Sequence, residues 1–145
     1  MTAGEADAMV DDTDVVIKCV NSGATLTFHR ETLRVADDIC SFEVSLRSPT
    51  LTARIGIEEF GPPQWSGFFD LLAADWKGWT GSRAHESRDG HLKLAATSDA
   101  LGHVALHLTL RDRIGDSDWL CEYTLTVEAG RLGEMARELR TFFGC

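Results

Sequence analysis

The chain has 145 residues, 43% of them hydrophobic and 26% charged, with a formal net charge of −9. That length suits one domain of ordinary size, and the apolar share supports a packed core rather than a disordered chain. The excess of acid opposes binding to bare nucleic acid or an anionic membrane, both of which call for basic surface; it suits a basic protein partner, or solubility alone.

Residues 1–14 hold Glu5, Asp7, Asp11, Asp12 and Asp14 with no lysine or arginine. They read as a disordered acidic tail ahead of a single α+β domain over 15–145. The start lacks the basic-then-apolar order of a secretory signal, and no run is long and apolar enough to span a bilayer. Cys19, Cys40, Cys121 and Cys145 lie far apart, with no CxxC pair. The first three fall at inward strand positions, where a thiol behaves as a small hydrophobe. A reduced, cytoplasmic protein is the matching expectation.

From Val15 the pattern has period two, the mark of half-buried strands. Val15, Ile17 and Cys19 form one apolar row, and Leu26 and Phe28 the next, with Asn21-Ser22-Gly23 as the turn of a hairpin. A second hairpin alternates Cys40, Phe42, Val44 and Leu46 with polar residues, then Leu51, Ala53, Ile55 and Ile57, around Ser48-Pro49. Pairing Leu46 with Leu51 and Phe42 with Ile55 keeps both rows on one face and sets Glu43 opposite Arg54.

Gly61-Pro62-Pro63 breaks the sheet. Trp65, Phe68, Phe69, Leu72 and Trp76 then recur at three- and four-residue spacing, which predicts an amphipathic helix over 64–77 that buries this stripe. A three-strand meander follows, with inward rows Leu92-Leu94-Ala96, Val104-Leu106-Leu108-Leu110 and Trp119-Cys121-Tyr123-Leu125-Val127. Ser98 to Gly102 and Arg113 to Ser117 supply its turns. Pairing Ala96 with Val104, and Val104 with Val127, puts His103 between Thr97 and Glu128, His107 between Lys93 and Thr124, and Thr109 between His91 and Glu122. A second helix over 130–143 buries Leu132, Met135, Ala136, Leu139 and Phe142. Both helices are expected to pack on the sheet, and each half of the chain reads as strands followed by a helix.

No metal or cofactor is expected from these motifs, and no catalytic residue stands out. Walker-type and GxGxxG phosphate loops are missing from the sequence. His103 and His107 have the i, i+4 spacing that chelates zinc on a helix, but on a strand they stand about 13 Å apart. No Gly-x-Ser-x-Gly elbow marks a nucleophile. A Ser–His–Asp set stays open, since its members meet only in the fold. Glu128 beside His103 is expected to form a cross-strand pair that raises the imidazole pKa.

Phe68-Phe69-Asp70-Leu71-Leu72-Ala73, then Asp75 to Gly81 with Trp76, Gly78 and Trp79, then Asp99-Ala100-Leu101-Gly102-His103-Val104, Trp119 and Phe142-Phe143 resemble an uncharacterised family of small actinobacterial proteins of unknown function. From Phe68 onward, the order of helix, Trp-x-Gly, strand, Gly-His-Val, strand, Trp, strand and helix is also similar to WapI-type immunity proteins. That second resemblance implies a cytoplasmic antitoxin that binds and blocks a bacterial toxin domain. On this reading the chain is a non-catalytic binding protein with a basic protein as partner, and neither nucleic acid nor membrane. The expected contacts are Trp79, His103, Glu122 and Glu128. The competing expectation is a small-molecule pocket, or a minor enzyme, between sheet and helix, near Trp65, Trp76 or Trp119. The oligomeric state is left open.

Overall fold

The computed structural model describes residues 13–113 and 118–144. The acidic segment 1–12, most of the expected turn at 113–117, and Cys145 lie outside the described residues. Among the described residues, two four-stranded antiparallel sheets and two helices follow one another in the order ββββα twice. The first sheet is a meander of β1 (Val15–Lys18), β2 (Thr25–Ala36), β3 (Ile39–Arg47) and β4 (Thr52–Phe60), followed by α1 (Trp65–Ala74). The second is a meander of β5 (Arg83–Glu86), β6 (Leu92–Ser98), β7 (His103–Asp112) and β8 (Trp119–Glu128), followed by a 3₁₀ turn (Ala129–Arg131) and α2 (Leu132–Phe143).

Apart from Leu51, which lies in the turn before β4 and is exposed, the alternating apolar rows point inward or pack against the core as the sequence predicts, and with the helix stripes they form one hydrophobic core. All five residues assigned to the inner face of α2 are buried, as are Trp65, Phe68, Phe69 and Leu72 of α1. Helix packs on helix as well as on sheet, with Arg140 of α2 donating to the Asp70 carboxylate of α1. The sheets meet between β4 and β7 and again near the end of β1, where Val20 donates its N–H to the Thr126 carbonyl at 2.8 Å and Thr126 donates to Cys19 Sγ at 3.3 Å. Cys19, Cys40 and Cys121 are buried.

Several local expectations need correction. The two hairpins are not separate, because β2 also pairs with β3. β2 runs on to Ala36 through a register shift between His29 and Arg34. In the β3–β4 hairpin Leu46 faces Ala53 and Phe42 faces Ile57, two residues from the expected pairing. The turn decides this: Ser48 donates its N–H to the Leu51 carbonyl, so pairing resumes only at Thr52. Glu43 therefore faces Gly56, and Arg54 reaches it diagonally with its Nε at 2.5 Å.

The β6–β7 pairing is likewise displaced by two. Ser98 faces Val104 and Ala96 faces Leu106, so His107 faces Ala95 and Thr109 faces Lys93. Asp99 sets the tighter turn, since its Oδ1 accepts from the N–H groups of both Leu101 and His103. Those two bonds favour the ionised carboxyl, and Asp99 titrates below the usual carboxylate range. The β7–β8 register has Val104 facing Val127, as expected.

The second sheet gains a fourth strand, β5, which alternation could not show. Its inward positions are Arg83 and His85 rather than aliphatic residues. The first helix stops at Ala74, short of the expected 77. Asp75 and Trp76 donate back to the Leu72 and Ala73 carbonyls, and Gly78 takes a positive φ of 133°. Trp76 thereby leaves the buried stripe and is 52% exposed. At Gly78 a Cβ would come within 3.3 Å of Ala100, so glycine lets the helix end approach the β6–β7 turn.

β5 brings His85 against the Trp65 ring, at 4.4 Å between centroids, and stacks it on Phe68 at 5.9 Å. Burial lowers the His85 pKa, and the nearby Glu59 carboxylate partly offsets that by raising it. A folded value below the unfolded one means that the unfolded chain takes up the proton first. The contribution of His85 to stability is therefore fully present above about pH 6.5 and lost as pH falls through the folded value. His85→Phe is expected to flatten the dependence of the urea midpoint on pH as the pH falls below about 6.5. An unchanged slope in that variant would show that the imidazole does not titrate differently in the two states.

Candidate functional site

The outer face of the second sheet is laid out in cross-strand rows. One row reads Glu86, Lys93, Thr109, Glu122, and the next Ala84, Ala95, His107, Thr124. At the far end His103 faces Glu128. The backbone alternation that buries Leu94, Leu106, Leu108 and Leu125 turns these polar side chains outward.

His107 Nδ1 lies 3.0 Å from Thr124 Oγ1, and its Nε2 lies 3.6 Å from Glu122 Oε2. His103 faces Glu128, yet its ion pair is with Asp99, Nδ1 to Oδ2 at 3.4 Å. The tight turn carries that carboxylate beside the imidazole, so the expected His103–Glu128 pair gives way to a local one. His91 is not on this face. It precedes β6, is buried, and places Nδ1 2.8 Å from the Arg111 carbonyl oxygen.

Three of the expected contact residues, His103, Glu122 and Glu128, thus share the outer face. Glu122 and Glu128 stand about 20 Å apart along β8. Trp79 does not join them. Its indole N–H donates to the Ala96 carbonyl at 3.3 Å, Arg83 lies 4.9 Å over its ring, and the side chain packs at the margin of the core. A groove of about 510 Å³ runs between β1 and α2, lined by residues including Asp14, Val16, Arg137 and Phe142. Trp65 is fully buried elsewhere.

The first sheet holds a constellation that motif reading did not single out. Val15 faces Phe28, which brings Asp14 to the end of the ladder beside His29. His29 Nε2 lies 2.7 Å from Ser45 Oγ, and Nδ1 lies 3.9 Å from Asp14 Oδ2. Glu31 follows where the register shifts, and donor atoms of Asp14, His29 and Glu31 all lie within 4.8 Å of one another. Drawing the first hairpin's register would have exposed the proximity of Asp14 and His29.

The serine–histidine–aspartate order is not sufficient for nucleophilic catalysis. Asp14 is too far from Nδ1 for a hydrogen bond. Ser45 is 9% exposed on a central strand, where neighbouring amides lie in the plane of the sheet and pair with the next strand. They do not point above the hydroxyl, where an oxyanion would form.

A family model covers residues 17–145, almost the whole chain. The chain belongs to DUF6228, a family of unknown function. For this DUF6228 member, no curated protein matches. A solved structure titled as MRP1/MRP2 of Trypanosoma bruciei is similar at 14% identity, with a TM-score of 0.49, over 95% of this chain and 91% of that one. A likeness at that level carries no functional argument. Among the described residues no helix is long and apolar enough to cross a membrane.

Proposed function

We propose that this DUF6228 member is a non-catalytic protein-binding domain that offers the outer face of its second sheet to a basic protein. The observation that supports this most is the row geometry of β5–β8. Glu86, Glu122 and Glu128 are exposed on one regular surface, with Lys93 and Arg111 as cations on the same face and His103 and His107 beside carboxylates. A regular face of this kind steers a basic partner at long range and fixes its register at contact.

The finer reading is an antitoxin-like role in the cytoplasm. Acidic side chains spaced across a sheet suit the basic groove of a nuclease-type toxin domain. Supporting results would be a captured partner that is toxic when expressed alone and tolerated when co-expressed with this chain.

The variant Glu122→Lys/Glu128→Lys is expected to keep the fold, because both side chains point to solvent. Cross-linking in host extract should capture a basic partner with the native chain. Capture should fall at least tenfold with the double variant, and should weaken as salt rises from about 50 to 300 mM. Equal capture by native and reversed chains would exclude this face as the contact.

A further inference from the structure

We propose that Asp14, His29 and Glu31 form a binding site for a divalent transition-metal ion of the Zn²⁺ type, on the outer side of the first sheet. Asp14 immediately precedes β1, and His29 and Glu31 lie where β2 shifts register against β3. One imidazole and two carboxylates are a donor set that Zn²⁺ accepts with bonds of about 2.0–2.2 Å, leaving a position for water or substrate.

Each of two ligands is held by an anchor outside the set. Asp14 Oδ1 accepts the backbone N–H of Arg30 at 2.8 Å, which leaves Oδ2 directed at His29. The His29 ring is fixed at its other nitrogen, 2.7 Å from the hydroxyl of buried Ser45. With Nε2–H donating to that hydroxyl, Nδ1 presents its lone pair to the carboxylates. A hydrogen-bonding partner on the far nitrogen is the usual way a metal-binding histidine is oriented.

The separation of Nδ1 and Oδ2, 3.9 Å, supports this reading. It is too long for a hydrogen bond, which closes at about 2.7–3.2 Å. Two ligands in a tetrahedral site with such bonds stand about 3.4 Å apart. Rotation of the exposed Asp14 and Glu31 side chains closes the remaining gap. Arg30 and Arg34 border the same surface. Arg34 turns its guanidinium onto the carbonyls of Glu31 and Leu33, which limits its competition for the carboxylates.

The test uses the full chain, stripped with chelator and titrated with Zn²⁺ against a fluorescent chelator, with Co²⁺ absorption as a second readout. The expected result is one ion per chain, with affinity weakened at least tenfold in Glu31→Gln and in His29→Ala. Ser45→Ala touches no metal and is expected to weaken binding about tenfold through loss of ring orientation. Glu31 is exposed, so its variant tests the site even if His29→Ala fails to fold. Less than one ion per chain, or binding unchanged in Glu31→Gln, would overturn the assignment. The second outcome would place any bound ion on other surface carboxylates.

Discussion

Trp65→Phe is expected to destabilise the fold by about 3 kcal/mol, although it keeps an aromatic ring in the core. Trp65 is fully buried, and its indole N–H donates to Glu59 Oε2 at 2.7 Å. Glu59 is itself only 9% exposed. Phenylalanine removes the donor and leaves a buried carboxylate short of a partner, which costs more than the bond itself contributed. Replacing both partners, as in Trp65→Phe/Glu59→Leu, should recover part of the loss because no orphaned charge remains. Urea unfolding monitored by circular dichroism reads all three proteins. A near-neutral single variant would show that Glu59 is satisfied without the indole.

Phe28→Ala is expected to cost about 3–5 kcal/mol, the range for emptying a buried aromatic site. Phe28 lies on β2 with 0% exposure. Its ring stands 5.9 Å from Phe42, 6.1 Å from Phe142 and 6.4 Å from both Trp65 and Phe143. It thus joins the first sheet to both helices, and its neighbours cannot close the void without moving two elements. At about 3–4 °C per kcal/mol for a chain of this size, the thermal midpoint should fall by roughly 10–20 °C. A fall under about 3 °C would mean that the neighbouring rings collapse into the space. Because Phe28 and Trp65 share this cluster, their effects should not add.

Much of this architecture can be read before any coordinates. Val104, Leu106, Leu108 and Leu110 announce a strand and its buried face, and Leu132, Met135, Ala136, Leu139 and Phe142 announce a helix and its stripe. The inward placement of Cys19, Cys40 and Cys121 follows from the same alternation. Pairing is another matter. A slip of two residues leaves every side chain on its correct face, so period-two patterning cannot separate Phe42 facing Ile55 from Phe42 facing Ile57. The Ser48–Leu51 and Asp99–His103 bonds make that choice, through turn geometry that composition does not disclose. β5 stays hidden for a different reason. Arg83 and His85 take inward positions only because Trp79, Trp65 and Phe68 are there to receive them.

The candidate sites divide in the same way. Alternation and the β7–β8 register put Glu122, Glu128 and His103 on one outer face, and they lie there. Trp79, expected beside them as an aromatic contact, sits instead at the core margin, where its indole donates to the Ala96 carbonyl. The metal-binding proposal rests on residues close in sequence, Asp14, His29 and Glu31. Their convergence needs the β1–β2 ladder, the register shift after His29, and the Ser45 hydroxyl from β3.

The sequence by itself determined most of the strands, both helices and the buried face of each of these, because apolar periodicity repeats within one element and needs no neighbour; β5, whose inward residues are Arg83 and His85, lacks that signal. Only the tertiary structure decided which residues stand opposite one another and which polar groups converge. Those outcomes depend on turn hydrogen bonds and on contacts between elements far apart in the chain, such as Cys19 and Val20 with Thr126 or Asp70 with Arg140.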